Sequence, residues 1–556
     1  MSIRVKSPLR TILFLEVAIV IFMSLGIAGQ ELSYLALLIV AIGFLKMSSL
    51  DSLTLFIFSI PFFVAFPGSG FSDSMSIWRV LIILLVAKAV WEKYGKANGG
   101  KFGDKKKILS IFSAVGAKKP LNLASREIRG ALNSSYRALF LSMSAFLGIS
   151  AVSVLFADDI GAGVKKILFL MNILLLFPLT AYCVKNAQDF LKIIKSIFIT
   201  SLVVVLIGYF QFLLTFVFSL YSFWQFWAQS VIRALYGQNL SELLSYSNTW
   251  FSYYASLPPT LRMFSVLPDS HSFSMLVIIA MPALLLLLSC SQSKKKNYFT
   301  AAIILFYLAI FFSGSRGAWI TFFAAVVSAF VLLAPYKYGA VKYFEKLNLR
   351  PDGKKEARLI VIFVLLFFIL MPFSSFILTK NQEIQIISSG MEMTSQEKNA
   401  LFERAVSISD LSETSNKGRL QIWSRTVSSI AAHPVLGVGY GNYPVILQEN
   451  ISDAKRGSSA HNIYLDVAAE TGIFGLAAFL AILGEILRVS YLLFYRLRTQ
   501  YLKMFAGSFF VFFSWASAYG IFDIVIFNEK VLIVLVIMIG LLYSLEKADL
   551  KREAAH

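Results

Sequence analysis

The sequence predicts an all-α integral membrane protein. Of its 556 residues, 57% are hydrophobic and only 15% are charged, whereas soluble domains are roughly half apolar and a quarter charged. The mean hydropathy is +0.72. The apolar residues form runs long enough to cross a hydrocarbon layer of about 30 Å as helices, and they lack the short alternating pattern of outer-membrane strands. We therefore expect a bundle of membrane helices.

Apolar runs and basic loops together predict about fourteen spans with both termini in the cytoplasm. Segments 92–137 and 336–357 then fall inside, and the first contains eight Lys and three Arg against three acidic residues. The loop 379–460, before the twelfth span, falls outside and has eight basic and eight acidic residues. The predicted spans lie near 11–28, 32–47, 51–67, 77–91, 138–156, 163–183, 191–219, 270–290, 298–313, 316–335, 358–378, 461–485, 503–521 and 525–545.

This topology divides the chain into three regions. Residues 1–378 carry the first eleven helices, 379–460 form the large outer loop, and 461–556 carry three helices and a cytoplasmic tail. A second outer segment, 220–269, is rich in Trp and Tyr. Because aromatic rings favour the headgroup layer, we expect it to lie along the interface, with a substrate-binding role as the alternative.

The formal charge of +20 does not indicate a nucleic acid partner. Most of the Lys and Arg residues lie in short loops, as sorting of positive charge to the inside requires. The only two cysteines, Cys183 and Cys290, give no basis for a disulfide framework or a metal cluster. No cofactor or metal is expected.

Several polar groups lie at the predicted outer membrane surface. Arg262 precedes the eighth span, together with Asp269 and His271, and Arg316 lies in the short turn of SGSRGAW between two spans. Guanidinium is always charged and matches phosphate oxygens with a planar fork. Arg316 is thus a candidate phosphate ligand, with a contact to lipid headgroups as the alternative. Arg79 lies near another outer helix end and could also hold an anion, although long basic side chains at helix ends often only snorkel.

Within the outer loop, residues 417–432 predict an amphipathic helix. Arg419 and Trp423 share one face at i, i+4 spacing, and Arg425 lies off that face. Two arginines beside a Trp suit a diphosphate and a sugar ring, although an ordinary interfacial helix uses the same residues. The glycines of 437–441 resemble part of a dinucleotide-binding loop, but such a site would need a flanking strand and helix. They instead predict a tight turn that folds the loop back toward the bundle.

His461 and its neighbours open the twelfth span. An imidazole with an ordinary pKa near 6.5 suits general-base work at neutral pH, so His461 is the sharpest catalytic candidate, with a helix-cap role as the alternative. Asn462 stands beside it. Glu470 lies deeper, where it could orient a neighbour, bind a polar group of the substrate or pair with a buried donor.

Four motifs in this order carry a family resemblance. SGSRGAW, GRLQIW with a second Arg, HPVLGVGYGNY and AHNIYLDVAAETGIFGL resemble the O-antigen ligase and O-antigen polymerase superfamily of bacterial envelope glycosyltransferases. They span roughly Ser313 to Leu476. RMFSVLPDSH, from Arg262, is similar to an Arg-containing segment of the family, but His271 stands where an Asn is often found.

The resemblance implies a metal-independent, inverting glycosyltransferase with a C-type helical bundle in the bacterial cytoplasmic (inner) membrane, its active site on the outer face. Its donor would be a glycan on undecaprenyl diphosphate. His461 would activate the acceptor hydroxyl, and Arg316 with Arg419 or Arg425 would hold the diphosphate. Arg262, Trp423, Asn462, Glu470 and Arg79 are the candidate substrate-binding residues. The acceptor would be a lipid A core sugar or a second lipid-linked repeat, with the bilayer and other polysaccharide-assembly proteins as further partners.

Two questions stay open at this level. The motifs do not distinguish a polymerase from a ligase. The predicted fourteen spans exceed the twelve usual in ligases, which favours a polymerase. A transporter or flippase for lipid-linked oligosaccharide is the alternative class. The concentration of polar groups at one membrane face, rather than along a central path, favours chemistry at the interface.

Overall fold

The computed structural model describes residues 7–67, 76–94, 123–238, 241, 250–252, 259–337, 352–388, 414–447 and 459–553. Within these ranges the chain is predominantly helical. The α-helices are α1 (Ser7–Ser24), α2 (Leu32–Lys46), α3 (Ser49–Ser59), α4 (Ile77–Tyr94), α5 (Leu123–Val154), α6 (Ile160–Leu174), α7 (Leu176–Cys183), α8 (Ala187–Leu214), α9 (Leu220–Phe226), α10 (Arg233–Tyr236), α11 (Ser270–Ser289), α12 (Ser293–Phe312), α13 (Arg316–Lys337), α14 (Lys354–Ser388), α15 (Thr414–Ala432), α16 (Ile463–Arg496), α17 (Gln500–Tyr519), α18 (Glu529–Leu542) and α19 (Leu545–Glu553). Strands β1 (Phe251–Ser252) and β2 (Thr260–Leu261) form an antiparallel pair.

The predicted class, a helical multi-pass membrane protein, is confirmed. Eight segments in the described part of the chain are long and apolar enough to cross a membrane. The other six predicted spans coincide with shorter or less apolar helices, namely α1, α2, α3, α4, α17 and α18. The count of fourteen spans therefore stays a prediction. The eight segments are 136–154, 160–183, 187–214, 270–289, 294–312, 316–337, 354–378 and 463–496.

Helix α11 is the centre of the bundle. Almost all of its side chains are buried, and it packs against α8, α12, α17 and α18. A membrane helix that is apolar all round is expected to be enclosed by other helices or lipid, and here protein encloses it. His271 lies in the first turn of α11. Because several helices pack around α11, polar residues from their ends come close to that first turn.

Helix α16 is broken at Gly472, and the glycine turn of residues 437–441 packs onto the break. Gly472 has φ 70° and ψ −174°, a conformation open in practice only to glycine. The break frees the carbonyl groups of Ala469 and Glu470, which accept hydrogen bonds from the N–H groups of Val438 (2.9 Å) and Gly439 (3.1 Å). The predicted turn is confirmed: Gly437, Gly439 and Gly441 all have positive φ.

Several element boundaries differ from the prediction, and three of them concern the site and the loops. Helix α16 begins at Ile463 with Asn462 as its N-cap, so His461 precedes the helix rather than opening it. Helix α14 continues to Ser388, ten residues past the predicted end of its span. Helix α12 begins at Ser293, five residues before the predicted start of its span. Much of the predicted loops 92–137 and 336–357, and parts of 220–269 and 379–460, lie outside the described residues. The three-region division and the interfacial position of 220–269 stay predictions.

Candidate active site

His461 lies in a short segment that several elements fix. Its backbone has φ 47°, a left-handed conformation uncommon outside glycine. Ala460 donates its N–H to Asp466 Oδ1 (3.0 Å) and accepts a bond from Trp423 Nε1 (2.8 Å). Ile463 donates its N–H to the Gly520 carbonyl at 2.7 Å. Backbone conformations of this kind persist where the surroundings over-determine them, and they cluster at functional sites.

The imidazole of His461 is suited to accept a proton. Its Nδ1 is buried and has no hydrogen-bond partner among the described residues. Burial lowers the pKa of His461, and the nearby Arg419 guanidinium lowers it further. A lowered pKa keeps the ring neutral at neutral pH, which is the state that a general base requires.

Helix α15 presents one of its two arginines, Arg419 and Arg425, to the site. Arg419 is half-buried and acts electrostatically on His461, whereas Arg425 is exposed. The prediction that Arg425 lies off the helix face shared by Arg419 and Trp423 is thus confirmed. Trp423, predicted to bind substrate, donates its indole N–H to the Ala460 carbonyl, so the described contact of this side chain serves to hold the His461 segment.

The turn before Arg316 is tied to three other elements. Ser313 Oγ lies 2.6 Å from Ser274 Oγ of α11, and the Phe312 carbonyl accepts a hydrogen bond from the N–H of Met263 at 2.9 Å. Ser315 Oγ forms a short hydrogen bond with the Tyr519 hydroxyl of α17. Arg316 therefore emerges from a turn whose position is set by the helices around it.

The segment from Arg262 to Asp269 is fixed in the same way. Ser265, with φ 58°, donates its N–H to Gln211 Oε1 and its hydroxyl to the Val204 carbonyl, each at 2.6 Å. Asp269 caps α11 by accepting from both the N–H and the hydroxyl of Ser272 at 2.7 Å. At the other end Arg262 Nε donates to Ser252 Oγ at 3.1 Å. These bonds place Arg262 and His271 at the same end of the bundle.

His271 lies within electrostatic range of four of the predicted site residues. Arg262, Arg316, Arg419 and His461 all act electrostatically on its imidazole. These groups come from the segment before α11, from α13, from α15 and from the segment before α16. The predicted convergence of outer polar groups is therefore found at the end of α11, and Arg419 rather than Arg425 takes part in it.

Two carboxyl groups accompany the guanidinium groups, the half-buried Asp269 and the buried Asp523. Burial raises the pKa of Asp269 to about 6, as does the neighbouring Asp523, while hydrogen bonds from Ser272 oppose the shift. Burial likewise raises the pKa of Asp523 to about 6, opposed by the N–H of Ile524 and by Arg419. The site thus combines three guanidinium groups with two carboxyl groups whose pKa is raised. Positive charge therefore predominates, which favours an anionic ligand.

Asn462 and Glu470 have contacts within the protein that the sequence left open. Asn462 Oδ1 accepts from the N–H groups of Tyr464 (3.0 Å) and Leu465 (3.1 Å) and so caps α16. Glu470 Oε2 lies 2.6 Å from Lys166 Nζ, and its Oε1 accepts from the N–H of Tyr443 at 3.3 Å. Of the alternatives for Glu470, the structure contains pairing within the protein, with the half-buried Lys166 and with the buried N–H of Tyr443.

Arg79 lies in a different neighbourhood. Its guanidinium is 5.3 Å from the ring centroid of Trp78 and 5.6 Å from that of Phe169, and Glu529 acts on it electrostatically. Glu529 in turn accepts from Trp78 Nε1 at 2.8 Å. The contacts of Arg79 thus join α4 to α6 and α18, apart from the cations around His271.

The fold and the site define a multi-pass helical membrane protein with a cationic, histidine-containing centre at one end of its bundle. Residues 300–480 match the model of a family described as O-antigen ligase. The resemblance that the motifs predicted is confirmed over this segment, which contains Arg316, Arg419 and His461 and supports a glycosyl-transferring membrane enzyme. A search of curated proteins finds no match. Arg262, His271, Tyr519 and Asp523 lie outside the matched residues.

Sequence reasoning missed the roles of Tyr519, Asp523 and Lys166. Tyr519 and Asp523 flank the end of a predicted span, and an acidic residue at an outer helix end was a usable signal. Tyr519 carried no such signal, since aromatic residues are common at membrane interfaces. Lys166 pairs with Glu470, and a basic residue near a helix end gives no signal of such a distant partner.

Proposed function

We propose that the protein transfers a glycan from an undecaprenyl-diphosphate-linked donor to an acceptor hydroxyl during assembly of a bacterial surface polysaccharide. The observation that carries the proposal is the placement of Arg262, Arg316, Arg419 and His461 at one end of the bundle, within electrostatic range of His271. A diphosphate leaving group requires fixed cations, and an acceptor hydroxyl requires a base. The family match supports both the substrate class and the reaction class.

The reaction follows from these groups. The acceptor oxygen attacks the anomeric carbon opposite the diphosphate, so the new bond forms with inversion as the carbon–oxygen bond to phosphate breaks. His461 takes the hydroxyl proton, and the leaving diphosphate takes the bonding electron pair. Arg316 and Arg419 stabilise the charge that develops on it, Arg262 supports the same anion, and no metal takes part in the proposed steps.

Direction across the membrane is part of the proposal. With both termini in the cytoplasm of the cell, the ends of α11 and α16 that carry the site face outward across the inner membrane. The donor headgroup would then be reached from the outer leaflet. The acceptor is either a second lipid-linked repeat, for a polymerase, or a lipid A core sugar, for a ligase.

The central test compares His461→Ala and Arg316→Ala with the exposed His433→Ala in purified protein supplied with an undecaprenyl-diphosphate glycan. Loss of a general base costs about 10²–10⁴ in rate, and loss of one charge-stabilising donor about 10²–10³. We therefore expect both site variants to lose more than about 99% of transfer, while His433→Ala keeps it. Normal transfer in both site variants would contradict the assignment of roles. Chain extension without a core acceptor identifies a polymerase, and a requirement for that acceptor identifies a ligase.

A further inference from the structure

His271 is the hub of a hydrogen-bonded group that the proposed reaction does not yet use. Its Nδ1 lies 2.8 Å from Tyr519 Oη, 3.2 Å from Ser315 Oγ and 3.6 Å from Asp523 Oδ2. Ser315 and Tyr519 are themselves hydrogen-bonded. One imidazole nitrogen thus joins the first turn of α11, the turn before α13 and the end of α17.

The capping of α11 does not require this imidazole. Asp269 caps the helix through Ser272, and Ser274 holds Ser313 independently. What the His271 ring adds is a link to Ser315, the residue directly before Arg316, and to the hydroxyl of Tyr519. A buried polar group that loses its partner costs more than an ordinary hydrogen bond contributes, so the link constrains the turn.

The backbone on the other side of Arg316 is also held by α17. A Cβ atom added to Gly317 would lie 2.9 Å from the Tyr519 ring and 3.0 Å from Phe522 Cβ. Trp515 Nε1 donates to the Ala318 carbonyl at 2.8 Å. Arg316 is therefore flanked by residues in contact with α17, and its position depends on how the end of that helix meets α11.

We propose that His271 is a positioning residue for the donor diphosphate: through Ser315 and Tyr519 it sets the turn that directs Arg316 into the site. The inference rests on the proposed function. Because His271 acts through Arg316 and not on the acceptor, it governs the binding of the donor more than the binding of the acceptor. His461 keeps the role of base, so removal of His271 leaves the dependence of the rate on the protonation of His461 in place.

The test is steady-state kinetics of the purified full-length protein in lipid nanodiscs, with a polyprenyl-diphosphate glycan as the varied donor. The variants are His271→Ala, His271→Asn and Tyr519→Phe, with His433→Asn as the control at an exposed histidine. Loss of the buried hydrogen bond predicts a donor KM raised about tenfold in His271→Ala, with the acceptor KM unchanged. An Asn amide can still accept from Tyr519, so His271→Asn is expected to return the donor KM to within about threefold of the original value.

Two further readouts separate positioning from other roles. Residues of one network are non-additive, so His271→Ala combined with Tyr519→Phe is expected to raise the donor KM no further than His271→Ala alone. The acidic limb of the pH profile of kcat is expected to stay in place. Loss of that limb in His271→Ala would make His271 a base and overturn the inference, as would an equal rise in both KM values.

The failure of this inference is distinguishable from failure of the proposed function. If the unaltered protein transfers no glycan from a polyprenyl diphosphate, the proposed function is contradicted. If it does transfer and His271→Ala keeps the original donor KM, only the positioning role is contradicted. Should His271→Ala not fold, His271→Asn and Tyr519→Phe decide the matter: a donor KM that stays unchanged in Tyr519→Phe overturns the link through the Tyr519 hydroxyl.

Discussion

At the scale of single residues, burial and orientation distinguish side chains of the same chemistry. Arg419 and Arg425 lie six positions apart on α15, but only Arg419 is half-buried and acts on His461 and His271. Likewise His461 is half-buried, and its buried Nδ1 has no partner among the described residues, whereas His433 is exposed. An exposed charge is screened by water and salt, so the less exposed member of each pair is the one whose charge or proton can act on a ligand.

We expect Arg419→Gln to lower glycan transfer at least about tenfold, and the matched Arg425→Gln to change it less than about twofold. The pH profile adds a second readout. Burial and Arg419 both lower the pKa of His461; with Arg419 neutralised the pKa rises, and more of the imidazole is protonated at a given acidic pH. The acidic limb of kcat should therefore move to higher pH in Arg419→Gln. A limb that stays in place would contradict the coupling between Arg419 and His461.

At the scale of elements, the break in α16 joins the glycine turn of residues 437–441 to the bundle. The carbonyl groups freed near Gly472 are the ones that the glycine turn satisfies, and the Lys166–Glu470 ion pair lies beside them. Unsatisfied backbone groups are costly away from water, so the break and the turn stabilise each other. The segment that carries His461 is connected to this region through Asp466, which lies on the same helix one turn before Glu470.

Gly472→Ala tests this arrangement. An added Cβ would lie 2.1 Å from the Val435 carbonyl oxygen, and the positive φ disfavours any side chain, so we expect a loss of more than about 2 kcal/mol in stability. Gly484→Ala is the matched control in the same helix, because its Cβ would meet open space and Ala favours helix. Heating the detergent-solubilised protein should give a lower Tm for Gly472→Ala only. Equal Tm values for both variants would contradict the role of the break.

At the scale of the whole molecule, the packing of helices around α11 gathers the site. Arg262, Arg316, Arg419 and His461 belong to four separate segments, and each segment reaches the same helix end. Such a site at the ends of helices can meet a lipid-linked headgroup without a path through the bilayer core, where charges are costly. The number and direction of all the spans together decide which side of the membrane the site faces.

Thiol labelling of intact cells tests that orientation. His433 is exposed at the end of α15, in the predicted outer loop, and Cys290 is exposed at the opposite, predicted cytoplasmic end of α11. An impermeant maleimide should label His433→Cys in intact cells and should label Cys290 only after permeabilisation, with buried Cys183 unreactive in both cases. The unaltered protein is the control for Cys290. Labelling of Cys290 in intact cells would show that its end of α11 faces outward and would contradict the proposed topology.

The sequence by itself determined the class of protein, the amphipathic helix that carries Arg419 and Trp423, the glycine turn and the segment of the family resemblance. These follow from local hydropathy, side-chain spacing and backbone conformation, which are properties of neighbouring residues. Only the tertiary structure decided that His271 meets Tyr519, 248 positions away, and that Lys166 meets Glu470, 304 positions away. Helix packing sets such contacts, and no periodicity within one helix specifies which side chains of distant helices meet.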